Sequence, residues 1–182
     1  NLAAYKTDRV MDKKIKYYLT EQSDGRFKAR VEMLYKNNGW FDWQTTRYRS
    51  FTRVYYPLNS AFISDYGFEN GSVVSALETG ISYPKSYSGG FMSIEPKKEA
   101  TLVFEYYLPE EVSAKIKKEK KYSLILQKQA GNNSSFEMYF KFLNPITSWS
   151  KNVEADMVEK ANNDLKWQGD LNQDSVLSVL HP

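Results

Sequence analysis

Apolar side chains recur at every second position along most of this chain, from Lys13 almost to the C-terminus. Tyr122-Ser123-Leu124-Ile125-Leu126-Gln127-Lys128-Gln129 is one such stretch, and Phe27-Lys28-Ala29-Arg30-Val31-Glu32-Met33 is another. A period of two belongs to a half-buried β-strand, because successive side chains point to opposite faces of a sheet. The pattern therefore predicts about ten short strands.

Ile15, Tyr17 and Leu19 share one face of the first strand. Ser23-Asp24-Gly25 reverses the chain, since Gly takes positive φ at no steric cost. Phe27, Ala29, Val31, Met33 and Tyr35 continue the apolar face on the return, with Lys28, Arg30, Glu32 and Lys36 facing water. A strand from Arg47 to Tyr56 stops at Pro57, which has no N–H to donate. Ala61–Asp65 and Val73–Glu78 read as a pair, Gly80–Gly90 as an irregular loop, and Phe91–Ile94 as a short strand. Leu102, Phe104, Tyr106 and Leu108 mark a further strand. Glu110–Lys121 holds either a helical turn or a solvated loop, and Val153–Ala161 either a short helix or an edge segment. Two more hairpins are expected. One pairs Tyr122–Gln129 with Phe136–Leu143 across Gly131-Asn132-Asn133; the other pairs Lys166–Leu171 with Val176–Leu180.

Short strands with regular turn signals predict an all-β fold, one antiparallel β-sandwich over residues 1–182, with immunoglobulin-like topology as one option. The expected core includes Tyr17, Val31, Met33, Val54, Leu102, Phe104, Tyr106, Leu124, Leu126, Met138 and Phe140. A chain of 182 residues buries roughly 70% of its unfolded surface, so a core forms without staples. It has to, because the chain contains no Cys.

The 25 basic and 22 acidic residues leave a net charge of +3. So even a balance argues against a dedicated nucleic-acid binder. No apolar run approaches the roughly 20 residues that cross a bilayer. The chain opens on Asn1 and reads as a piece of a longer protein.

Signals for chemistry are few. The single histidine, His181, is penultimate and reads as an exposed tail residue. With no Cys and one His, a zinc site of the usual N/S type is not expected. Ser88-Gly89-Gly90 precedes a strand, not a helix, and so lacks the anion-binding geometry of a phosphate loop. Asp170, Asn172 and Asp174 alternate as in a calcium loop, but Ser175 stands where the sharp-turn Gly belongs and His181 where the bidentate Glu belongs. Glu105 and Glu137 fall on polar strand faces. No catalytic residue, metal site or cofactor is predicted.

Two groups are candidate ligand-binding residues. Arg47, Arg49 and Arg53 share one strand face, interleaved with Phe51 and Tyr55; cations among aromatics bind polyanions or sugars, or else form a solvated face whose Arg stems cover the rings. Trp40, Phe41 and Trp43 cluster in one predicted loop, with Tyr83 and Tyr87 in another; such rings stack on sugars or plug the end of a sandwich. A basic run, Lys115, Lys117, Lys118, Lys120 and Lys121, reads as a solvated segment.

Several segments, in order, resemble the bacterial family assigned to domain of unknown function 4012. They are Asn1-Leu2-Ala3-Ala4-Tyr5-Lys6-Thr7-Asp8-Arg9-Val10-Met11, Arg53-Val54-Tyr55-Tyr56-Pro57, Phe104-Glu105-Tyr106-Tyr107-Leu108-Pro109, Tyr122 through Gly131, and Trp167-Gln168-Gly169-Asp170-Leu171 with Asp174. Gln127-Lys128-Gln129-Ala130-Gly131 is the most distinctive. The resemblance implies an exposed C-terminal β-domain on the extracellular face of the bacterial envelope, anchored in the membrane by a segment outside this chain. It supplies no catalytic residue. The expected role is a non-catalytic module, structural or binding another envelope protein or a cell-wall glycan. The alternative is a carbohydrate-binding module using its loop aromatics.

Overall fold

The computed structural model describes residues 6–69, 77–82, 84–129, 131, 134–153 and 156–181. A short 3-10 turn (Thr7–Val10) leads into β1 (Met11–Glu21) and β2 (Phe27–Asn37). Then come β3 (Tyr48–Pro57), β4 (Ala61–Tyr66), β5 (Glu78–Ser82), β6 (Lys85–Ile94) and β7 (Glu99–Tyr107). Helix α1 (Glu110–Glu119) precedes β8 (Lys121–Leu126), β9 (Ser135–Lys141), β10 (Ser148–Lys151), β11 (Met157–Ala161), β12 (Asp164–Asp170) and β13 (Ser175–Leu180).

One layer is a seven-stranded sheet in the order β11-β12-β9-β1-β2-β7-β4. Its neighbours run antiparallel except β1 and β9, which are parallel, so the sheet is mixed. Register sets one inward row across five strands: Trp167, Met138, Tyr17, Val31 and Phe104. Facing this sheet are two separate three-stranded sheets, β10-β13-β8 and β3-β6-β5. The first packs down through Tyr122, whose ring lies 5.7 Å from that of Phe140 and whose hydroxyl is 3.0 Å from that of Tyr17. The second packs through Tyr56, 5.1 Å from Phe104 and 5.4 Å from Tyr106, and through Tyr48, 6.4 Å from Tyr35. The result is an all-β sandwich whose second layer is split. Its layers are larger than the four-and-three arrangement of an immunoglobulin constant domain.

The first predicted hairpin forms in full, Met11 opposite Asn37 through Glu21 opposite Phe27. Most of the expected core is buried; Val31, Leu124 and Leu126 are half-buried against it. Trp167, Phe136, Phe142, Leu177 and Val179 are core residues that the expected set omitted.

Other pairings differ from expectation. β8 and β9 are not a hairpin: they lie in different layers, and the intervening chain crosses between them. β12 and β13 separate in the same way. Alternation reports which face a residue occupies and is silent on which strand lies beside it. β4 pairs with β7 and β5 with β6, so the expected pairing of residues 61–65 with 73–78 does not occur for Glu78; residues 70–76 lie outside the described set. The expected loop over Gly80–Gly90 is mostly strand, in β5 and β6. Residues 110–119 make a full helix, with Glu110 and Glu111 in its first turn and Lys117 and Lys118 in its last, as the helix dipole favours. The segment at 157–161 is an edge strand; of the same stretch, residues 154–155 lie outside the described set. His181 is buried, its ring stacked on Phe142 at 4.2 Å, because its backbone N–H bonds Lys120 and ties the tail down.

Candidate ligand-binding face

Arg49, Phe51, Arg53 and Tyr55 alternate with the inward-facing Tyr48, Val54 and Tyr56, so they project together from the outer face of β3. Cross-strand register extends this face over β6 and β5. Phe51 lies opposite Phe91, Tyr55 opposite Tyr87 and then Gly80, and Arg53 opposite Gly89 and then Glu78. The glycines matter here for space. A Cβ on Gly89 would come 2.7 Å from Arg53 Cγ and 3.0 Å from a Phe51 ring carbon, and one on Gly80 would come 2.7 Å from the Tyr87 ring. Their absence lets these long side chains lie flat against the sheet.

The face is built from cation–ring contacts. The Arg53 guanidinium sits 5.3 Å from the Phe51 centroid and 4.7 Å from that of Tyr87, and Arg49 sits 4.6 Å from Phe91. Phe51 and Phe91 meet edge-on at 5.0 Å, and Tyr55 and Tyr87 meet at a tilt, 5.8 Å apart. Phe51, Tyr55 and Phe91 remain exposed. Each Arg has an exposed carboxylate companion: Arg47 with Glu95 at 2.5 Å, Arg49 with Glu69 at 3.6 Å and Arg53 with Glu78 at 3.1 Å. Exposed pairs of this kind contribute about 0–1 kcal/mol, so an anionic ligand displaces them at little cost.

The predicted site residues thus divide. Arg49, Arg53 and Tyr55 come together with Phe51. Arg47 stands just before β3, tied to Glu95. Trp40 and Trp43 sit on a separate loop, where Asp42 Oδ1 accepts hydrogen bonds from the Gln44 and Thr45 N–H groups and the Thr45 hydroxyl. Those backbone donors hold the Asp42 carboxyl below its usual range. On this rigid turn Trp40, Phe41 and Trp43 are 64%, 70% and 83% exposed, so they plug nothing. Lys97 Nζ lies 4.1 Å from the Trp40 ring. Phe91, Tyr87, Gly80, Gly89 and Glu78 complete the first face. Tyr87 was expected as a loop ring and not as part of this face, and the others were not expected here at all, because Ser88-Gly89-Gly90 carries no apolar side chain to show the alternation.

Between β3 and the chain leaving β8 lies a cleft of about 550 Å³, with Phe51, Arg53 and Tyr55 at its lip. Glu105 and Glu137, the strand carboxylates, are on β7 and β9 of the large sheet, three strand positions apart. At about 4.8 Å per strand that is roughly 14 Å, wider than the ~5–9.5 Å of a glycosidase pair. Each is instead a hub of ion pairs. Partial burial works against ionisation of Glu105, but hydrogen bonds from Lys28, Arg30 and Ser64 outweigh it and hold the carboxyl below the ordinary 4.5. The Lys14 ammonium, 2.6 Å away, does the same for Glu137, aided by the Tyr139 hydroxyl and opposed by burial.

A carboxyl whose folded pKa is depressed binds fewer protons folded than unfolded. Its stabilisation is present above the unfolded pKa and is lost as pH falls through the folded one. Stability should therefore decline as pH drops below about 4.5. Glu105→Gln should flatten that decline, read by urea denaturation between pH 3 and pH 7. An unchanged slope would show that Glu105 is not one of the groups responsible.

Among the described residues no three His, Cys, Asp or Glu side chains converge to hold a metal ion, and no helix is long and apolar enough to cross a membrane. The Asp170–Asp174 turn is held by the chain itself: Asp174 Oδ1 accepts from the Lys128 N–H at 2.7 Å, and Leu171 N–H bonds Ser134 at 2.8 Å.

No known protein-family profile matches the sequence, and no curated protein is similar to it. Among solved structures, a candidate nutrient-binding protein from Legionella pneumophila is 9% identical with a TM-score of 0.44, over 94% of this chain and 67% of that one. A candidate protease from Parabacteroides distasonis is 11% identical with a TM-score of 0.46, over 96% of this chain and 41% of that one. A two-domain M1 zinc metallopeptidase, an E323A mutant bound to tryptophan, is 7% identical with a TM-score of 0.42, over 94% and 43%. The chain thus spans less than half of the latter two proteins. These distant likenesses carry no assignment of role.

Proposed function

We propose that this chain is a non-catalytic binding module of the bacterial cell envelope, displayed on the extracellular face. It holds an anionic wall polymer, or an acidic patch of another envelope protein, on the outer face of β3-β6-β5. In the full-length protein a segment outside this chain supplies the membrane anchor. The observation that carries the ligand face is the flat arrangement of Arg49 and Arg53 among Phe51, Tyr55, Tyr87 and Phe91, kept open by Gly80 and Gly89. Exposed rings on a pleated surface offer stacking area, and guanidinium groups offer paired donors to carboxylate or phosphate. The location rests on the resemblance of several sequence segments to the domain of unknown function 4012 family. The near-balanced charge supports a local anion site over a nucleic-acid partner.

The second reading is a carbohydrate-binding module, favoured by the exposure of Trp40 and Trp43 on their rigid turn. One experiment separates the two. In calorimetry against a uronate-containing wall polysaccharide, Arg49→Ala with Arg53→Ala should weaken binding by about tenfold or more and lower its salt sensitivity. Trp40→Ala with Trp43→Ala should leave it within about twofold. The opposite result would transfer the site to the tryptophan loop, and no binding by the parent would end the polymer reading.

A further inference from the structure

We propose that the cleft between β3 and the chain leaving β8 is an acceptor site for one extended peptide strand of a partner protein, which adds to the edge of β3. Among the described residues seven strands face six, and the six are divided three and three. β8 packs over β1 and β9, through Tyr122 against Tyr17 and Phe140, and β3 packs over β2 and β7, through Tyr48 and Tyr56. The gap between the two small sheets, among the described residues, therefore lies over β1 and β2. The residues beneath the cleft agree: Ile15 comes from β1 and Met33 and Tyr35 from β2.

One wall, β3, is a sheet edge, and the edge of β8 lies upstream of the opposite side. β3 is hydrogen-bonded only to β6 and β8 only to β13, among the described residues. In an antiparallel pair every second residue turns its N–H and C=O away from the partner strand. The cleft is thus walled on one side by a free backbone ladder and opens on the other towards the chain that continues β8, at Gln127 and Gln129. A repeating ladder of donors and acceptors at strand spacing is matched by an extended polypeptide, the chemistry of strand addition. A glycan has no such repeat.

Side chains fit the same occupant. The inward positions of β3 carry Val54 and Tyr56 where the sandwich is closed, but Ser50 and Thr52, with Tyr48 at the mouth, where it is cleft, which leaves room above Ile15 and Met33. The closed end is sealed by Tyr17, Tyr106 and Tyr122, so the cleft admits a strand from the Tyr48 end only part-way along β3. Burial drives the Tyr35 hydroxyl up to about 12, so this groove wall presents a neutral phenol at all physiological pH. No lining residue is acidic, whereas Lys13, Lys14 and Arg53 line it. The occupant is an extended segment with apolar residues pointing down to Ile15 and Met33 and carboxylates at the alternate positions.

The cleft shares Phe51, Arg53 and Tyr55 at its lip with the outer face, but its floor of Ile15, Met33, Ser50 and Thr52 belongs to it alone, and the test is aimed at that floor. The probe is a capped octapeptide alternating valine with glutamate, titrated into isotope-labelled chain and followed by amide resonances. We expect shifts and slowed amide exchange at Ser50 and Thr52, and shifts at Gln127 and Gln129. Ser50→Phe, which fills the cleft, should raise Kd by about tenfold or more, as should N-methylation of alternate peptide residues. Replacing glutamate by lysine in the peptide should weaken binding by a similar factor. Arg49→Ala, on the outer face alone, should change it less than about twofold. Absence of any shift at millimolar peptide, or binding indifferent to both Ser50→Phe and N-methylation, would overturn the proposal. Far-ultraviolet circular dichroism of Ser50→Phe confirms that the variant is folded, and the N-methyl peptides test the same point on the unaltered chain.

Discussion

Phe104→Ala should remove about 3–5 kcal/mol of unfolding free energy, against a total of roughly 5–15 for a domain of this kind. Phe104 is fully buried at the centre of the large sheet. Its ring touches Tyr56 from the opposite layer at 5.1 Å, Phe62 from β4 at 5.4 Å and Tyr106 from its own strand at 5.8 Å. Truncation leaves a cavity bordered by elements of both layers, which cannot all move inward without breaking their ladders. The loss exceeds what the same experiment would give at Leu124, a half-buried position at the margin of the core. Urea denaturation reads the result. A change under about 1 kcal/mol would mean that the two layers do not meet at Phe104.

Gly67→Ala should be the most damaging of the glycine substitutions, at roughly 2 kcal/mol or more. Gly67 follows β4 with φ at +90°, and a Cβ there would lie 2.2 Å from the Thr101 carbonyl oxygen. That oxygen belongs to the backbone of β7, which is paired on both sides, with β2 and with β4, and has little freedom to yield. Gly131→Ala is the internal control. Gly131 also has positive φ, at +71°, but nothing lies within 4 Å of its added carbon, so only backbone strain of about 1–2 kcal/mol applies. Equal losses at the two sites would show that the close approach to Thr101 is not what Gly67 serves.

How much was legible beforehand follows from what periodicity encodes. The side-chain faces of β1, β2, β3, β7, β8 and β9 could be read from the sequence, because burial on one face imposes the period of two. Pairing could be read only where a tight turn joins neighbours, as at Asp24-Gly25 between β1 and β2. It was not legible where the chain changes layers, as after Leu126 and after Asp170, since the same alternation fits either partner. The candidate face was half legible. Arg49, Arg53 and Tyr55 announce themselves by alternation on β3, whereas Phe91, Tyr87 and Gly89 join them only through the register of β6. Trp40 and Trp43 were recognisable as loop residues, but their exposure depends on the Asp42 turn, a hydrogen-bond arrangement that composition does not reveal. The cleft was not legible in the sequence, because the gap between two sheet edges depends on which strands pair, and alternation does not report pairing. His181 was misplaced for a related reason: the expected fraying of a chain end gives way once its backbone bonds Lys120 and its ring stacks on Phe142.

The central claim is that ligand contact falls on the outer face of β3-β6-β5. Amide and side-chain resonance mapping of the isotope-labelled chain with a uronate-containing wall polysaccharide tests it most directly. The account predicts perturbations concentrated at Arg49, Phe51, Arg53, Tyr55, Tyr87 and Phe91, fading as salt is raised. Perturbations confined to Trp40, Phe41 and Trp43, or none at all at saturating polymer, would contradict it.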